Sequence, residues 1–214
     1  MEDLMTESAA YPKVYLGGDL VFRKDAQQLF RAFKEACLAV RLHGISPFDG
    51  QDEVEALPPG KETSLLIARL DRGLMDECAA ALFCIDPFRR AADMDPGTAV
   101  EIGYMAAQNK PMAGYTVDGR TYHEKVQSYF EQAWHTPLTE EKPPNGSRVR
   151  WLDADAMIVH SEGLLQNAMV EGFIRQAGGD IAVADDILSA FRAAAKDLAG
   201  LIYGKTAVEG SSHG

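Results

Sequence analysis

Glu101 is the residue of this chain whose type and position best suit chemistry. It lies in the segment Asp95-Pro-Gly-Thr-Ala-Val-Glu-Ile-Gly-Tyr104, where Asp95 is typical of a helix N-cap and Pro96 of a first helical turn. Glu101 then falls in the second turn, close to the helix end whose unpaired N–H groups and dipole favour negative charge. A carboxylate that is ionised yet sheltered there could act as a nucleophile or as an acid/base. The alternative is an ordinary solvated glutamate on a helix.

The elements that must position Glu101 can be predicted from the pattern of apolar residues. Short apolar runs predict strands at residues 13–17, 44–48, 79–85, 110–115 and 156–159. Helical spacing predicts helices at 25–42, 63–77, from 96 onward, 122–134, 164–176 and 181–203. This alternation predicts an α/β protein with a doubly wound, five-stranded parallel sheet in the flavodoxin-like order 2-1-3-4-5. We expect a single domain at residues 12–203, with extra C-terminal helices, between flexible segments at 1–11 and 204–214.

Ligands of such sheets bind beyond the carboxyl ends of the strands, so the residues that follow each strand are candidates for the site. They are Gly17, Gly18 and Asp19; Pro47, Phe48 and Asp49; Asp86, Pro87, Phe88 and Asp95; Tyr115; and His160, Ser161 and Glu162. This edge is rich in carboxylates, which act in pairs at the C1 position of sugars, one as nucleophile and one as acid or base. The pair Gly17-Gly18 lacks the dinucleotide-binding fingerprint. It fits either a close backbone approach to an uncharged ligand or a simple tight turn.

The composition disfavours several classes of function. The net charge of −11 over 214 residues argues against binding to nucleic acid or to an anionic membrane, because both need clusters of Lys and Arg. No apolar run approaches the roughly 20 residues needed to cross a bilayer, and the acidic start is unlike a signal peptide, so we expect a cytoplasmic protein. The three cysteines are expected to be reduced and buried. The five histidines show no metal-binding spacing, so we predict no metal and no cofactor.

Several motifs together resemble the nucleoside 2-deoxyribosyltransferase family, over roughly residues 12–172. In chain order they are Val14-Tyr-Leu-Gly-Gly18, Val21-Phe22, Pro47-Phe-Asp49, Asp86-Pro-Phe-Arg89, the segment 95–104 and Gln166-Asn-Ala-Met169. The segment 95–104 is the most specific of them. The resemblance implies a flavodoxin-like fold, a homo-oligomer with shared sites, and the exchange of one nucleobase for another on 2-deoxyribose. Deoxynucleosides and free nucleobases would be the substrates.

The resemblance also implies catalytic roles for individual residues. Glu101 corresponds to the nucleophile, and Tyr15 to the tyrosine that hydrogen-bonds it. Asp95 and Asp71 correspond to acidic residues near the base. From the residues alone, Asp71 fits an ordinary solvated position on a helix equally well, and Tyr15 fits a place in the core.

Further residues would bind the substrate. Phe22, Phe48 and Phe88 would form walls that stack on the base, although core packing is the common alternative for each. Gly17, Gly18, Asp49 and Met169 belong to the same motifs and are expected at the substrate. Asn167 corresponds to an asparagine that a neighbouring subunit brings to the sugar hydroxyl; otherwise it is an ordinary polar residue at the start of a helix.

The implied mechanism is a double displacement through a deoxyribosyl ester of Glu101, with retained configuration. One alternative is a deoxynucleoside 5′-monophosphate N-glycosidase, a hydrolase of the same superfamily. That activity needs serine and basic contacts to phosphate, whereas Asp19 follows the Gly-Gly pair and Asn167 stands where a serine would serve. Another alternative is a non-catalytic nucleotide-sensing module, which would not need Glu101. A flavodoxin-like electron carrier would be coloured by its flavin.

Overall fold

The computed structural model describes residues 11–51, 54, 57–143 and 148–210, with side chains described as far as Gly204. The strands are β1 Lys13–Gly17, β2 His43–Ile45, β3 Ala80–Cys84, β4 Met112–Thr116, β5 Thr139–Glu141, β6 Arg150–Leu152, β7 Ile158–Val159 and β8 Ile181–Val183. The α-helices are α1 Ala26–Ala39, α2 Lys61–Glu77, α3 Pro96–Ala107, α4 Tyr122–Trp134, α5 Ala168–Gln176 and α6 Ile187–Gly210. Short 3-10 turns at Asp19–Phe22, Pro47–Gly50 and Phe88–Arg90 follow β1, β2 and β3.

The main sheet has five parallel strands in the order β2-β1-β3-β4-β8. Tyr15 of β1 pairs with Ala81 of β3, and Cys84 of β3 pairs with Tyr115 of β4. All five residues of β3 are buried, as expected for a central strand covered on both faces. Counted along the chain, the strand order is 2-1-3-4-5, so the predicted flavodoxin-like α/β fold is confirmed.

The fifth strand of this sheet was predicted at the wrong place. Ile158–Val159 forms β7 of a separate three-stranded antiparallel sheet, in which Val159 pairs with Trp151. The fifth strand is β8, whose Ile181 pairs with Gly114 of β4, although residue 181 was predicted to begin a helix. Two apolar residues, of which Ile158 is 61% exposed, are too few for a buried strand.

Punctuating residues explain where β8 begins and ends. Gly178, at φ +92°, ends the turn that follows α5. Asp186, three residues after the last residue of β8, accepts a hydrogen bond from the Ser189 backbone N–H at 2.9 Å and so starts α6. His160, Ser161 and Glu162, which were expected at the edge of the main sheet, therefore follow a strand of the small sheet.

Helices cover both faces of the sheet. On one face, α1 and α6 pack around Phe33, Tyr115 and Phe191, with the rings of Phe33 and Phe191 stacked 4.0 Å apart. On the other face, Tyr15 and Phe83 pack with residues of α2, α3 and α5. Because side chains alternate along a strand, Val14 and Leu16 belong to the first core while Tyr15 points into the second. The face that holds Tyr15 is the one that also carries α3 and Glu101.

The region between β4 and α5 forms a small annex to the main sheet. Helix α4 begins with a capping box, in which Thr121 and Glu124 bond each other's backbone N–H groups. It packs with the antiparallel sheet β5–β6–β7 around a separate cluster that includes Val126, Leu138 and Val159. This annex adjoins the loop after β3, because Ala92 of that loop belongs to the same cluster.

The remaining expectations concern the two ends of the chain, the three cysteines and membrane-spanning helices. Helix α6 continues to Gly210, so residues 204–210 of the expected tail are helical, while 1–10 and 211–214 lie outside the described residues. Cys37, Cys78 and Cys84 are free and buried. Over the part of the chain that the structure describes, no helix has both the length and the apolar composition to span a membrane.

Candidate active site

A cavity of about 310 Å³ opens at the carboxyl ends of β1, β2 and β3. Its walls come from the loops after β1 and β2 and from the facing parts of α2 and α3. The lining residues are Gly18, Val21, Phe22, Pro47, Phe48, Gln51, Ile67, Asp71, Asp95, Gly97, Thr98 and Glu101. Aromatic and aliphatic side chains therefore surround three carboxylates, which suits a flat, uncharged heterocycle attached to a polar group.

A hydrogen bond from Tyr15 of β1 fixes the position of the Glu101 carboxyl group. The Tyr15 hydroxyl, fully buried in the core, donates a hydrogen bond of 2.7 Å to Oε1 of Glu101. The other carboxylate oxygen, Oε2, lies against Gly17, where an added Cβ would be only 2.7 Å away from it and 2.5 Å from the Phe83 ring. Gly17 is therefore needed for the close approach of the carboxylate to β1. The sequence suggested only a close approach to a ligand or a tight turn for Gly17, and not this contact with Glu101.

Gly18 has a different reason to be glycine. Its φ is +145°, a conformation that residues with a side chain rarely adopt. A Cβ there would also lie 2.6 Å from Cβ of Cys84. The backbone after β1 can thus turn tightly beside β3 and line the cavity.

Burial dominates the electrostatics of Glu101. The pKa of the carboxyl group is raised to about 8: burial is the largest cause, the hydrogen bond from Tyr15 lowers the pKa, and the negative charges of Asp71 and Asp95 raise it. The sequence suggested that the helix N-terminus would keep Glu101 ionised. The surrounding protein and the two neighbouring carboxylates outweigh that effect, so the group readily takes up a proton.

Asp71 extends from α2 into the same cavity. Burial raises its pKa to about 6, and a hydrogen bond with Gln51 partly offsets this. Its Oδ1 is buried without a hydrogen-bond partner among the described residues. An unsatisfied carboxyl oxygen in an apolar cavity is costly unless a ligand completes it. Asp71 is therefore free to bond a polar group of a ligand.

Asp95 lines the cavity and also caps the N-terminus of α3. It is the N-cap of α3, and its Oδ2 accepts hydrogen bonds from the Thr98 backbone N–H at 2.8 Å and from the Thr98 hydroxyl at 3.0 Å. The predicted N-cap is thus observed. The capped helix places Asp95 and Glu101 at the same wall of the cavity, six residues apart in the sequence.

Aromatic rings form the mouth of the cavity. Phe22 is 64% exposed, and its ring lies 5.6 Å from that of Phe88. The guanidinium of Arg89 lies over the Phe88 ring, 4.6 Å from its centroid. Phe48 lines the cavity with one side and contacts Phe30 of the core with the other, at 5.5 Å between centroids. Phe88 supports Phe22 rather than lining the cavity itself.

Asp49 faces away from the cavity. Its Oδ2 accepts hydrogen bonds from the Ser46 backbone N–H at 2.7 Å and from the Ser46 hydroxyl at 3.0 Å, forming a capping box for the turn after β2. Its Oδ1 pairs with Lys34 of α1. The spacing Ser46-x-x-Asp49 is the sequence signal for this role.

Asn167 and Met169 are also outside the cavity of their own chain. Asn167 is the N-cap of α5, where its Oδ1 accepts the Met169 backbone N–H at 2.9 Å. Both residues line a separate apolar cavity of about 300 Å³, together with Pro96 and Phe173. Met169 is 61% exposed. The structure therefore does not bring these two residues to Glu101 within one chain.

The sequence did not single out Gln51, Ile67 and Thr98, which line the cavity. Ile67 lies one helical turn before Asp71, so the helical period that places Asp71 in a site also places Ile67 there. Gln51 directly follows the Pro-Phe-Asp-Gly segment. Within the described ranges, no group of three or more His, Cys, Asp or Glu residues could hold a metal ion.

The fold and the cavity define a flavodoxin-like α/β protein with a sheltered carboxyl group at the edge of its sheet. A family model described as nucleoside 2-deoxyribosyltransferase matches residues 14–169. The chain therefore belongs to the nucleoside 2-deoxyribosyltransferase family.

Individual relatives extend this comparison. An uncharacterized protein of Schizosaccharomyces pombe is 60% identical over 188 residues, which cover 88% of this chain and 89% of that protein. The solved structure of a 2-deoxyribosyltransferase from Leishmania mexicana has a TM-score of 0.56 at 21% identity, covering 86% of this chain and 97% of that one. A conserved protein from Enterococcus faecalis matches with a TM-score of 0.49 at 15% identity, over 86% and 98% of the two chains. The Leishmania structure supports the same fold.

Proposed function

We propose that this protein transfers 2-deoxyribose from one nucleobase to another through a covalent ester on Glu101. The observation that carries the proposal is the Glu101 carboxyl group itself. It is hydrogen-bonded by Tyr15, sheltered in a cavity of about 310 Å³ that Phe22 and Phe48 line, and flanked by Asp71 and Asp95. Membership of the deoxyribosyltransferase family supports the same reaction.

In the first half of the reaction, an ionised Glu101 oxygen attacks C1′ of the deoxynucleoside. The bond between C1′ and the base nitrogen breaks, and its electron pair stays on the base. Asp71 in its protonated form donates a proton to the departing base, because its raised pKa lets it carry one near neutral pH. The products of this half are a neutral base and the deoxyribosyl ester of Glu101.

The second half reverses these steps with another base. The incoming base occupies the space between Phe22 and Phe48, loses a proton to Asp71, and attacks C1′ as the ester bond breaks. Glu101 is released as a carboxylate, and the two inversions give retained configuration. Ping-pong kinetics are the expected kinetic signature. Water that reaches the ester releases free deoxyribose, so slow hydrolysis accompanies transfer.

We propose in addition that the active protein is a homo-oligomer in which Asn167 of one copy reaches the cavity of another. The support is the position of Asn167 and the exposed Met169, which lie beside an apolar surface cavity away from Glu101 of their own chain. An apolar surface of this kind fits an interface between copies.

A base-exchange assay tests the proposed function. Purified protein is incubated with deoxyinosine and adenine, and in a separate reaction with a deoxynucleoside 5′-monophosphate in water. We expect deoxyadenosine and hypoxanthine in the first reaction, and no activity in Glu101→Ala. Free base from the nucleotide alone, with no exchange in the first reaction, would identify the hydrolase instead. Binding without turnover in either reaction would identify a sensing module.

A further inference from the structure

Helices α2 and α3 form facing walls of the cavity and carry its carboxylates. Ile67 and Asp71 come from α2, whereas Glu101 comes from α3. Helix α2 buries little of its surface against the core. Residues 61–77 all lie in the described part of the chain, and Met75 is the only one of them that is buried. Apolar packing therefore constrains α2 weakly, and other contacts must fix where Asp71 stands relative to Glu101.

A group of hydrogen bonds between exposed side chains ties the two helices together. Tyr104 of α3 donates its hydroxyl proton to Oδ1 of Asp76 at 2.6 Å and accepts a hydrogen bond from Nε of Arg72 at 3.1 Å. Gln108 donates to the same Asp76 oxygen at 3.0 Å. The Arg72 guanidinium also lies over the Tyr104 ring, 5.7 Å from its centroid. We call these four residues, Arg72, Asp76, Tyr104 and Gln108, the α2–α3 clamp.

Two residues of the α2–α3 clamp lie close in sequence to the carboxylates of the cavity. Tyr104 lies three residues after Glu101, which is one turn along α3, and Arg72 directly follows Asp71 on α2. Each helix thus carries one carboxylate that lines the cavity and, within one turn of it, one residue of the clamp that contacts the other helix. A shift of α2 that breaks the clamp also moves Asp71 away from Glu101.

We propose that Tyr104 is a positioning residue, which acts through the α2–α3 clamp to set the separation between Asp71 and Glu101. This inference rests on the proposed function, in which one carboxyl group attacks C1′ while the other handles the proton of the base. Both must meet the same glycosidic bond, and misplacement by about 1 Å can cost roughly 100-fold in rate. The Tyr104 ring packs beside the core of α3, so its hydroxyl can be removed while the ring stays in place.

Tyr104→Phe is the first test. We expect kcat for base exchange to fall roughly tenfold, while KM for deoxyinosine changes less than about twofold, because Phe22 and Phe48 are untouched. The alkaline limb of kcat/KM, which the pKa of Glu101 sets, should also move to lower pH. The groups that face Glu101 are Tyr15 from β1, Asp71 from α2 and Asp95 at the start of α3, and only the Asp71 charge recedes in this variant.

Tyr203→Phe is the matched control. Tyr203 of α6 also donates its hydroxyl proton, but to the backbone carbonyl of Arg41 far from the cavity. Its loss removes one tyrosine hydrogen bond without touching α2 or α3. We expect kcat and the pH profile of this control to equal those of the wild type.

A second pair of variants separates the hydrogen bond from general stability. Asp76→Asn keeps an oxygen that can accept from Tyr104, so exchange should remain within about twofold of the wild type. Asp76→Ala removes the acceptor and should reproduce the loss seen in Tyr104→Phe. The double variant Tyr104→Phe/Asp76→Ala should be no slower than either single variant, because the partners act through one contact.

The outcomes are distinct. Wild-type kcat and an unshifted pH profile in both Tyr104→Phe and Asp76→Ala would overturn the positioning role while leaving base exchange intact. A fall in melting temperature without any change in kcat would overturn it as well, because the clamp would then be structural only. Absence of exchange in the wild type would overturn the proposed function, and this inference with it. If Tyr104→Phe does not fold, the comparison of Asp76→Asn with Asp76→Ala decides.

Discussion

At the scale of single residues, the site depends on a compromise around Glu101. Burial and two nearby carboxylates favour its protonated form, yet the proposed attack on C1′ requires the ionised form. The buried Tyr15 hydroxyl acts in the opposite direction by donating to the charged oxygen. With its pKa raised to about 8, Glu101 as the proposed nucleophile ionises in a poorly solvated place, where a carboxylate is reactive.

Tyr15→Phe should make that compromise visible in the pH dependence of exchange. The hydrogen bond from Tyr15 lowers the pKa of Glu101, so its loss raises that pKa further. Activity requires ionised Glu101 together with protonated Asp71, whose pKa is about 6, so the higher pKa of Glu101 sets the alkaline limb of kcat/KM, which should move to higher pH. The check is a profile from pH 5 to about 10 for both proteins. An alkaline limb that stays in place or moves to lower pH would show that Tyr15 does not stabilise the charge.

Glu101→Gln should stabilise the fold at high pH. The pKa of Glu101 is raised to about 8 in the folded protein from its ordinary value of 4.5, so between these values the folded state binds more protons than the unfolded state. Wild-type stability therefore falls as pH rises through this window, and the neutral glutamine escapes that loss. Because a shift of one pKa unit corresponds to about 1.4 kcal/mol, we expect the variant to gain about 4 kcal/mol over the wild type at pH 9, and little at pH 4.5.

Thermal or urea unfolding at several pH values measures this difference. Glu35→Gln, which neutralises an exposed glutamate on α1, serves as the matched control and should show no such growth with pH. A gain for Glu101→Gln that is the same at both ends of the range would contradict a buried, protonated carboxyl group.

At the scale of elements, the close approach of α3 to β1 depends on the missing side chain at Gly17. Gly17→Ala places a methyl group 2.7 Å from Oε2 of Glu101 and 2.5 Å from the Phe83 ring. Because both neighbours are held in the core, we expect a destabilisation of about 1–3 kcal/mol and at least a tenfold loss of exchange.

Gly200→Ala on α6 is the control, because an added Cβ there meets nothing within 4 Å. It should leave exchange unchanged and stabilise the protein by roughly 0.5–1 kcal/mol. Urea unfolding together with the exchange assay distinguishes the two variants. Wild-type activity in Gly17→Ala would mean that Glu101 need not lie against β1.

Elements with strong local signals could be predicted from the sequence, and weak ones could not. The N-cap Asp95 with Pro96 located α3, and the apolar run before it located β3, so the position of Glu101 followed from local chemistry. Strand β8 was missed because three residues after a glycine turn carry no period, and only their pairing with β4 makes them a strand. The spacing Ser46-x-x-Asp49 predicts the capping role of Asp49, but the resemblance of the Pro-Phe-Asp motif led to the prediction that Asp49 binds substrate.

At the scale of the whole molecule, the acidic surface and the acidic cavity both favour uncharged ligands. A net charge of −11 and the carboxyl groups in the cavity disfavour a phosphate group, which is consistent with the proposed nucleoside substrate. Asn167 is an ordinary helix N-cap in its own chain, so its proposed role in the cavity of another copy has no signal in the local sequence. Assembly is therefore the level at which its role must be tested.

Mixing two inactive variants tests the shared site. Glu101→Ala removes the nucleophile from its own cavity, and Asn167→Ala removes the side chain proposed to reach a neighbour. If the copies exchange, some mixed assemblies contain a cavity with intact Glu101 and intact Asn167. For a dimer mixed in equal amounts, about a quarter of wild-type activity should return. Activity equal to the mean of the separate variants would show that each site is made by one chain.

The most direct measurement of the central claim is mass spectrometry of the protein after incubation with deoxyinosine alone, without an acceptor base. The account predicts an added mass equal to one 2-deoxyribosyl group, located by peptide mapping on Glu101 and discharged when adenine is added. Glu101→Gln should carry no such adduct. An active protein that shows no covalent sugar, or one that carries it on another residue, would contradict the account.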